Sequence, residues 1–473
     1  MPLILGAQSA IASGFTVENS CRFNSGDSAY MYKTFGTATD ADKWTFSVWI
    51  KRAAPYNTAA AQKILNAYRD GNGYQMIQTG GSVGNSVNTY NHDTSGGTAD
   101  VTAEGKAQFM DPAGWMHIVF MWDAAESVTT DRIQLWINGV RLDADSLTSV
   151  QFPSINQAGI INSAIVHQLG AVQSPAQYFN GYMSEVVFLD GVADSPVDTL
   201  GAFNADSPNF WQPLDPSDLT FGTNGFYLDF KDSANLGNDA NGGTDFTTVN
   251  FTAADQGTDS PTNSFSTFNP LIRLGAHSDI SEGNCKNTLS GAGYESIWST
   301  MMVTKGKWYC EFKYIAGSHQ YTAILGENLV NDYYENVVGG VPNVAYNHAG
   351  NKQIDGVQSA YGATYTTGDI IGVALDYDNN YIYFSKNGTF QDSGDPTSGA
   401  TGTGGIALPS TTHAYAFGVS KYASAGSVGA NFGGCSGFDV SSANQDGNGY
   451  GNFEYAVPSG YYALCTKNLA EFG

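Results

Sequence analysis

The same order of strand signals occurs in each half of the chain, and this repeat limits the folds that the chain can adopt. Residues 43–50 (KWTFSVWI) and 307–314 (KWYCEFKY) both open with Lys-Trp and alternate large apolar with other side chains. Each is followed later by an Asn-Gly pair, at 138–139 and at 387–388. A period of two is typical of a half-buried strand, and Asn-Gly tolerates the positive φ angles of a type I′ hairpin turn. Both halves are therefore predicted to form antiparallel sheets.

The segments before the two hairpins extend this repeat. An apolar run and a polar turn precede each Asn-Gly pair, at 115–126 and at 370–380. The predicted fold class is all-β, with two tandem antiparallel β-sandwiches. Residues 231–268 are rich in Asn, Asp, Gly, Thr and Ser, which favour loops and linkers. We expect an N-terminal arm, a first sandwich, a linker and a second sandwich at residues 1–19, 20–230, 231–268 and 269–473. The candidates for short helices are 59–68 and 196–203, and the second is expected to be a single turn.

The composition agrees with strands joined by turns and excludes several partners. The chain has 27 Tyr, 26 Phe, 8 Trp and 56 Gly, and 14% of its residues are charged. Aromatic residues favour strands, and Gly favours turns. The formal net charge of −24 repels nucleic acid backbones and anionic membrane surfaces. We expect no nucleic acid partner, and because no long apolar run occurs, we expect no membrane insertion.

The cysteines and the N-terminus bear on the compartment. Five widely spaced cysteines without a Cys-x-x-Cys pair predict thiols kept in a reducing compartment. The first ten residues, MPLILGAQSA, lack the basic start of a secretory signal. Together these observations predict packed free thiols made in a reducing compartment and no secretory signal peptide.

Family resemblances enter through the segments of both halves. The first half resembles a laminin G-like, concanavalin A-like jelly roll. Its segments follow the strand order of that family: residues 20–32, 44–50, 115–120, 136–139 (WING) and 179–188 (FNGYMSEVVF). Residues 306–312 (GKWYCEF), 368–378 (GDIIGVALDYD) and 384–388 (FSKNG) are similar to the signature of SPRY domains. The resemblance implies a concanavalin A-like jelly roll followed by a SPRY-like β-sandwich.

The two modules, together with the ending 457–469 (VPSGYYALCTKNL), resemble tail-fibre and other virion proteins of tailed bacteriophages. This resemblance implies a structural virion protein of the tail or an appendage, assembled in the host cytoplasm and acting as a receptor-binding component. The implied partners are other virion proteins and a host-surface receptor, a glycan first and a protein second. A homo-oligomer is also implied, with a trimer as the guess. The alternatives are a head decoration, collar or tail assembly protein with SPRY-mediated contacts, and a polysaccharide-degrading enzyme.

Sequence signatures of catalysis are missing. Glycosidases of the concanavalin-like fold place two carboxylates on one strand, but no Glu-x-Asp-x-Glu occurs, the seven His lack zinc-binding spacing, and no Gly-x-Ser-x-Gly occurs. We therefore expect no enzymatic activity, no catalytic residue, no metal and no cofactor; Glu185 and Glu311 are the residues to mutate under the enzyme alternative. Asp376 and Asp378 fit either Ca²⁺ ligands or a polar turn, as do the loops 70–73 and 446–449.

Tyrosines beside Asn and Asp in expected loops are the candidate ligand contacts. Tyr333 and Tyr334 lie in NDYYEN, and Tyr346 precedes Asn-His. Such aromatic rings can stack on a sugar face while their polar neighbours bond its hydroxyls. The same tyrosines could equally pack within loops or between protomers, and the sequence leaves this choice open.

Overall fold

The computed structural model describes residues 14–53, 61–81, 84–93, 101–274, 277–290, 294–317, 320–326, 342–422 and 425–473. These divide into two compact units, 14–262 and 263–473. Each unit is a β-sandwich with its own hydrophobic core, as expected from the sequence. Short 3₁₀ helices occur at Ser25–Asp27, Thr129–Asp131, Ala253–Asp255 and Pro396–Thr401.

The first sandwich contains eighteen described strands. They are Ser20–Phe23 (β1), Tyr30–Thr34 (β2), Lys43–Arg52 (β3), Gln62–Asp70 (β4), Gly73–Thr79 (β5), Val87–Asp93 (β6), Val101–Gly105 (β7), Met116–Asp123 (β8), Ile133–Ile137 (β9), Val140–Arg141 (β10), Leu147–Gln151 (β11), Val166–Leu169 (β12), Gly181–Asp190 (β13), Gly201–Phe203 (β14), Trp211–Pro213 (β15), Phe226–Leu228 (β16), Thr247–Val249 (β17) and Gln256–Gly257 (β18).

Two sheets enclose the core of the first sandwich. The sheet that carries the Asn-Gly hairpin has the order β10-β9-β8-β3-β13-β1-β18, with β16 also paired to β13, and we call it the first hairpin sheet. The other has the order β11-β7-β6-β5-β4-β12-β2-β17. We call it the tyrosine sheet because of the side chains described below. Core residues come from both sheets, for example Trp44 and Phe120 from one and Leu65 and Ile77 from the other.

The structure corrects the predicted linker at 231–268. Within that range, β17 pairs with β2 and β18 pairs with β1, so the chain continues both sheets of the first sandwich. Leu236 and Phe246 lie in its core. Asp239 holds the intervening turn, since its Oδ1 accepts from the N–H of Tyr227 at 3.0 Å and its Oδ2 lies 3.2 Å from Lys33 Nζ. The Gly, Asn and Asp of this stretch are turns within a domain.

The arm predicted at 1–19 is described only from residue 14. Val17 is buried, and its N–H and C=O bond the side chains of Thr262 and Ser260. The Asn19 carbonyl accepts from the Ser184 hydroxyl at 2.8 Å. The described end of the arm is therefore held by the first sandwich.

The first hairpin sheet is buried on both faces. Along β8, Ile118 and Phe120 point into the core, whereas Val119 and Met121 join a second cluster with Leu200 and other residues of 192–221. This segment, which includes the β14–β15 pair, covers the outer face of the sheet, and we call it the first cover. The half-buried pattern predicted for 43–50 is corrected for this reason: from Trp44 onward β3 is buried throughout.

The second sandwich contains sixteen described strands and one described α-helix. They are Phe268–Leu274 (β19), His277–Ser281 (β20), Lys286–Ser290 (β21), Tyr294–Val303 (β22), Lys307–Ala316 (β23), Gln320–Gly326 (β24), Asn343–Asn347 (β25), Asn351–Ile354 (β26), Val357–Ala360 (β27), Ile370–Asp376 (β28), Tyr381–Lys386 (β29), Thr389–Phe390 (β30), Ile406–Ala407 (β31), Tyr415–Tyr422 (β32), Ala425–Asn431 (β33), Tyr462–Ala463 (β34) and the helix Thr466–Phe472 (α1).

Its sheets repeat the arrangement of the first sandwich. The second hairpin sheet has the order β20-β21-β33-β23-β28-β29-β30, with β31 paired to β29 and β34 to β23; the opposite sheet has the order β19-β22-β32-β24-β25-β26-β27. The outer face of the second hairpin sheet is also buried, because Tyr309 and Tyr383 pack with Phe453 and Tyr461. Residues 444–465, which contribute these two rings, form the second cover.

The local predictions have mixed outcomes. Both Asn-Gly turns are confirmed: φ is positive at Asn138 and Gly139 and at Asn387 and Gly388, as a type I′ turn requires. The helix predicted at 59–68 is wrong, since its described part runs into strand β4. Residues 196–203 form a turn that leads into β14, and the α-helix at the end of the chain was not predicted.

Candidate functional site

One row of side chains crosses the whole outer face of the tyrosine sheet. Alternate residues of its strands point into the core, among them Met31, Leu65, Ile77 and Leu169. The residues between them point away from the core, and eight of them are register neighbours from one edge strand to the other. In order across the sheet this transverse row is Thr247, Tyr32, Gln168, Asn66, Met76, Tyr90, Thr102 and Gln151. Hydroxyl, amide, thioether and phenol groups make up the row, without a charged side chain.

Half-exposed aromatic rings mark two points of the transverse row. Tyr32 and Tyr90 lie four strands apart, which corresponds to about 19 Å at the spacing of sheet strands. A parallel row beside it adds Tyr68, Tyr74 and His92, whose rings follow one another at 6.3 Å and 5.0 Å between centroids. Aromatic surface is therefore available on both sides of the sheet centre.

Between the two tyrosines the row is formed by buried amides. Asn66 is 1% exposed, and both polar atoms of its side chain are hydrogen-bonded. Nδ2 donates to the Gln75 carbonyl and Oδ1 accepts from the Gln173 N–H, both at 3.2 Å. Gln168 is 6% exposed, and its Oε1 has no hydrogen-bond partner among the described residues. A buried acceptor without a partner costs free energy, so a ligand hydroxyl that donates to Gln168 would remove this cost.

The sequence did not predict this face, and the ligand-contact tyrosines that it did predict lie elsewhere. Tyr333 and Tyr334 fall outside the described residues. Tyr346 is corrected from a loop to strand β25, where it is fully buried against Tyr361, Tyr365 and Phe384. Its hydroxyl donates to the Ala363 carbonyl. The stacking surface predicted for Tyr346 is therefore covered by the core of the second sandwich.

Glu185 is a buried carboxyl at a β-bulge in β13. The register shifts between Ser184 and Val187, and Glu185 has a φ of 48°. Its Oε2 accepts from the Tyr227 hydroxyl at 2.6 Å. Burial raises the pKa of Glu185 to about 8, with the Tyr227 hydrogen bond opposing. A retaining glycosidase requires a second carboxylate on the same strand face. The described residues of β13 do not supply one, because Val187 and Leu189 pack against the first cover.

Glu311 is buried in the second hairpin sheet and bonds the second cover. Its Oε1 accepts from the Tyr455 N–H at 2.8 Å and the Tyr309 hydroxyl at 3.1 Å; its Oε2 accepts from the Glu454 N–H at 2.9 Å and Asn431 Nδ2 at 3.3 Å. Burial raises the pKa of Glu311 to about 7 against these bonds. Such a carboxyl fixes a backbone segment and has its lone pairs occupied.

A buried serine and histidine, Ser47 and His117, are hydrogen-bonded in a way that does not activate the serine. His117 Nδ1 accepts from Trp211 Nε1 at 2.9 Å, so the proton of the neutral ring is on Nε2, which donates to Ser47 Oγ at 2.7 Å. Burial lowers the pKa of His117 to about 3. In this tautomer His117 cannot accept the Ser47 proton, so the pair does not provide a nucleophile and its base.

The carboxylates of the acidic loops bond donors of their own turns and of neighbouring segments. Asp376 bonds Asn379 through both carboxylate oxygens and Lys307 Nζ at 2.8 Å, and Asp378 accepts from the Gly306 N–H. Asp446 accepts from four donors of 448–468. These contacts fit the turn alternative. Across the described ranges, no group of three or more His, Cys, Asp or Glu side chains is placed to hold a metal ion. In the same ranges no helix has the length and apolar character needed to cross a membrane.

Comparison with known proteins identifies a domain in each half. Residues 24–195 match the family model described as concanavalin A-like lectin/glucanases superfamily (Laminin_G_3), and residues 332–406 match that of the SPRY domain. No curated protein sequence matches the chain.

Several solved structures resemble parts of this chain at low sequence identity and low TM-score. The SPRY domain of human HERC1 is 17% identical over 34% of this chain and 96% of its own, with a TM-score of 0.28. A putative carbohydrate binding protein from Bacteroides ovatus is 14% identical over 50% of this chain and 58% of its own, with a TM-score of 0.35. Domains LG4-5 of mouse laminin α1 are 9% identical over 89% of this chain and 86% of their own, with a TM-score of 0.29. The two family-model matches alone show a laminin G-like, concanavalin A-like domain at 24–195 and a SPRY domain at 332–406.

Proposed function

We propose that the chain is a glycan-binding protein and that its first sandwich holds the glycan on the outer face of the tyrosine sheet. The observation that carries this proposal is the transverse row, which crosses eight strands without a charged side chain and combines half-exposed Tyr32 and Tyr90 with the unpartnered acceptor of Gln168. The family model of this domain is named for lectins and glucanases, two classes of carbohydrate-binding proteins.

The chemistry of the row favours a neutral, extended glycan. Tyrosine rings offer flat apolar surface to the C–H face of a sugar and a hydroxyl at the edge. Amide and hydroxyl side chains exchange hydrogen bonds with sugar hydroxyls. A polyanionic glycan would be repelled by the net charge of −24. A chain laid perpendicular to the strands could contact both tyrosines at once, about 19 Å apart.

Titration calorimetry of the full chain against a panel of soluble neutral and acidic polysaccharides tests the proposal. We expect binding to a neutral member, weakened about tenfold by Tyr32→Ala or Tyr90→Ala, because one stacked ring contributes about 1.4 kcal/mol. Phe203→Ala is the matched control, since this 40% exposed ring lies on the first cover. Equal affinity in the two tyrosine variants and the control would refute the assignment of the face.

A second variant separates ligand contact from support of the fold. Gln168→Leu removes the buried unpartnered oxygen and leaves a side chain of similar size. We expect the melting temperature to be unchanged or higher, while glycan affinity falls. Lower stability with unchanged affinity would show that Gln168 serves only the fold.

We also propose that this binding occurs without cleavage and that the protein belongs to a phage virion, as a tail-fibre or other receptor-binding component. The sequence resemblance of the module order and of residues 457–469 supports the virion location. Prolonged incubation of a bound polysaccharide with the protein should release no reducing ends. Antibody labelling of phage particles in electron micrographs should mark the distal end of the tail; labelling of the head or collar would favour the assembly role instead.

A further inference from the structure

Two cysteines of the second sandwich lie on neighbouring segments. Cys285 follows the turn between β20 and β21, and its carbonyl accepts from the Ala430 N–H at 2.6 Å. The segment after β33 folds back beside it, because Asn431 pairs with Ser436 and the Gly437 N–H donates to the Ala430 carbonyl at 2.9 Å. A Cβ added at Gly437 would lie 2.0 Å from the Cys285 carbonyl oxygen. The chain at 435–437 therefore passes directly against Cys285.

The Cys285 thiol points at the backbone of Cys435. Its Sγ lies 3.4 Å from the Cys435 carbonyl oxygen. Standard bond lengths then place this sulfur within about 6 Å of the Cys435 Cα. A disulfide joins Cα atoms that are about 4.4 to 6.8 Å apart, and because the Cys285 sulfur lies this close to Cys435 we expect a side-chain rotation with a local backbone shift to join the two sulfurs.

The two thiols differ in access. Cys285 is fully buried, whereas Cys435 is partly exposed. Of the remaining cysteines, Cys21 belongs to the core of the first sandwich, and Cys310 and Cys465 are buried in two different clusters of the second. A reagent from solution therefore meets Cys435 first.

We propose that Cys285 and Cys435 form a reversible disulfide when the protein meets a small disulfide such as oxidised glutathione. The Cys435 thiolate attacks one sulfur of the reagent, forms a mixed disulfide and releases one reduced thiol. The Cys285 thiolate then attacks the Cys435 sulfur and releases the second reduced thiol. The two cysteines lose two electrons and two protons, and the reagent is reduced to two thiols.

The bond would join positions 150 residues apart. Cross-linking a long loop lowers the entropy of the unfolded chain, so oxidation should raise the melting temperature of the second sandwich and leave that of the first unchanged. Transfer of the assembled protein from a reducing to an oxidising medium would then stabilise it. This inference does not depend on glycan binding.

Thiol counting and mass spectrometry on the full chain test the proposal. The reduced protein is equilibrated with graded ratios of oxidised to reduced glutathione, quenched in acid and digested without reduction. We expect two of the five cysteine thiols to be lost, a mass decrease of about 2 Da, and a peptide that links Cys285 to Cys435. Cys285→Ser should stop at the glutathione adduct of Cys435, and Cys21→Ser is the control that still forms the link.

Three outcomes would overturn the proposal. One is retention of all five thiols at every glutathione ratio. Another is a link that joins a different pair or two chains. The third is a stable glutathione adduct on Cys435 in the protein with Cys285 present. Because Cys21→Ser and Cys285→Ser each remove one buried thiol, equal melting temperatures under reducing conditions would separate the bond from general destabilisation.

Discussion

The two sandwiches share one three-strand unit, β3-β8-β9 in the first and β23-β28-β29 in the second, and differ in the segment that covers it. In the first, β3 begins with Lys43, whose Nζ lies 2.8 Å from Asp123 Oδ2 at the end of β8. In the second, β23 begins with Lys307, whose Nζ lies 2.8 Å from Asp376 Oδ2 at the end of β28. The ion pair closes the same corner of both sheets, so the Lys-Trp opening has a positional role beyond burial of its Trp.

The hairpin after this corner is also equivalent. The Asn138 N–H donates to the carbonyl of His117, and its Oδ1 accepts from the His117 N–H. Asn387 makes the same two bonds with Ile370. In each case the turn asparagine continues the ladder beyond the last paired residue of the strand.

The covers use opposite chemistry. Trp211 of the first cover lies over His117, which burial keeps neutral. The second cover is held by Glu311, which accepts backbone N–H groups from 454–455. A common sheet can therefore be closed by an aromatic ring or by a carboxyl that bonds the backbone, and substitutions should affect the two sandwiches differently.

The largest effect is expected at the paired tryptophans. Trp44→Ala and Trp308→Ala should each cost about 4 kcal/mol of unfolding free energy, because both side chains are fully buried. The Trp→Phe variants test a difference between the two sites: Trp308 Nε1 donates to the Lys305 carbonyl at 2.7 Å, whereas Trp44 Nε1 has no partner in the described part of the chain. We expect Trp308→Phe to cost about 1 kcal/mol more than Trp44→Phe. Calorimetry of the full chain would measure these costs, and equal costs of the two Trp→Phe variants would contradict the predicted contribution of the Trp308 hydrogen bond.

Glu311→Gln should have the next largest effect. The amide Nε2 of the new side chain would replace one carboxylate oxygen and face either the Glu454 N–H or the Tyr455 N–H, which then loses its acceptor. Leaving such a buried donor without a partner costs about 2 kcal/mol, measured as a shift of the second sandwich's transition in urea at pH 7.5. Full stability of the variant, together with loss of a polysaccharide-cleaving activity, would indicate a catalytic role instead.

Glu185→Gln should act in the opposite direction. The pKa of Glu185 is raised from 4.5 to about 8 by burial. Between these values the folded state holds a proton that the unfolded state has lost, so its stability contribution is full below pH 4.5 and falls as the pH rises through 8. Glutamine keeps an acceptor for the Tyr227 hydroxyl and never ionises. The variant should therefore melt at a higher temperature than the parent at pH 8 and at the same temperature at pH 4.

A parallel series of melting temperatures from pH 4 to pH 8.5 would check this prediction. Asp229→Asn is a control that removes a neighbouring carboxylate whose charge also raises the pKa of Glu185. This control should reduce the slope without abolishing it. An unchanged slope in Glu185→Gln would contradict the assignment of the titration to Glu185.

Features that depend on neighbouring residues were predictable from sequence, and features that depend on distant register were not. Asn138 and Asn387 indicate their turns locally, because Asn followed by Gly tolerates positive φ at both positions. Residues 231–262 looked like a linker because their strands are two or three residues long, and their polar residues hold turns against the first sandwich. Short strands give no periodic signal.

The transverse row was missed for the same physical reason. The sequence shows the spaced pairs Tyr30-x-Tyr32 and Tyr90-x-His92, which could have marked an aromatic strand face. Their alignment with Gln168 and Asn66 depends on how eight strands pair, and these strands are spread over roughly 220 positions of sequence. That pairing is set by tertiary packing. The prediction for Tyr346 failed in the opposite way, because a buried residue was taken for an exposed one. Its polar neighbours lie at the end of a buried strand.

The smallest predicted difference concerns the two hairpin turns. Asn138→Gly and Asn387→Gly both keep a residue that tolerates positive φ, so each loses only side-chain hydrogen bonds. Asn387 makes one further bond, from Nδ2 to Asp369 Oδ1 at 2.7 Å. We therefore expect Asn387→Gly to cost about 0.5 kcal/mol more than Asn138→Gly, since the extra bond is exposed to water. Asp369→Ala in the Asn387→Gly background should have no additional effect through this bond. A double-mutant cycle in urea would measure the coupling between Asn387 and Asp369, and an equal or larger cost at Asn138 would contradict the predicted contribution of this bond.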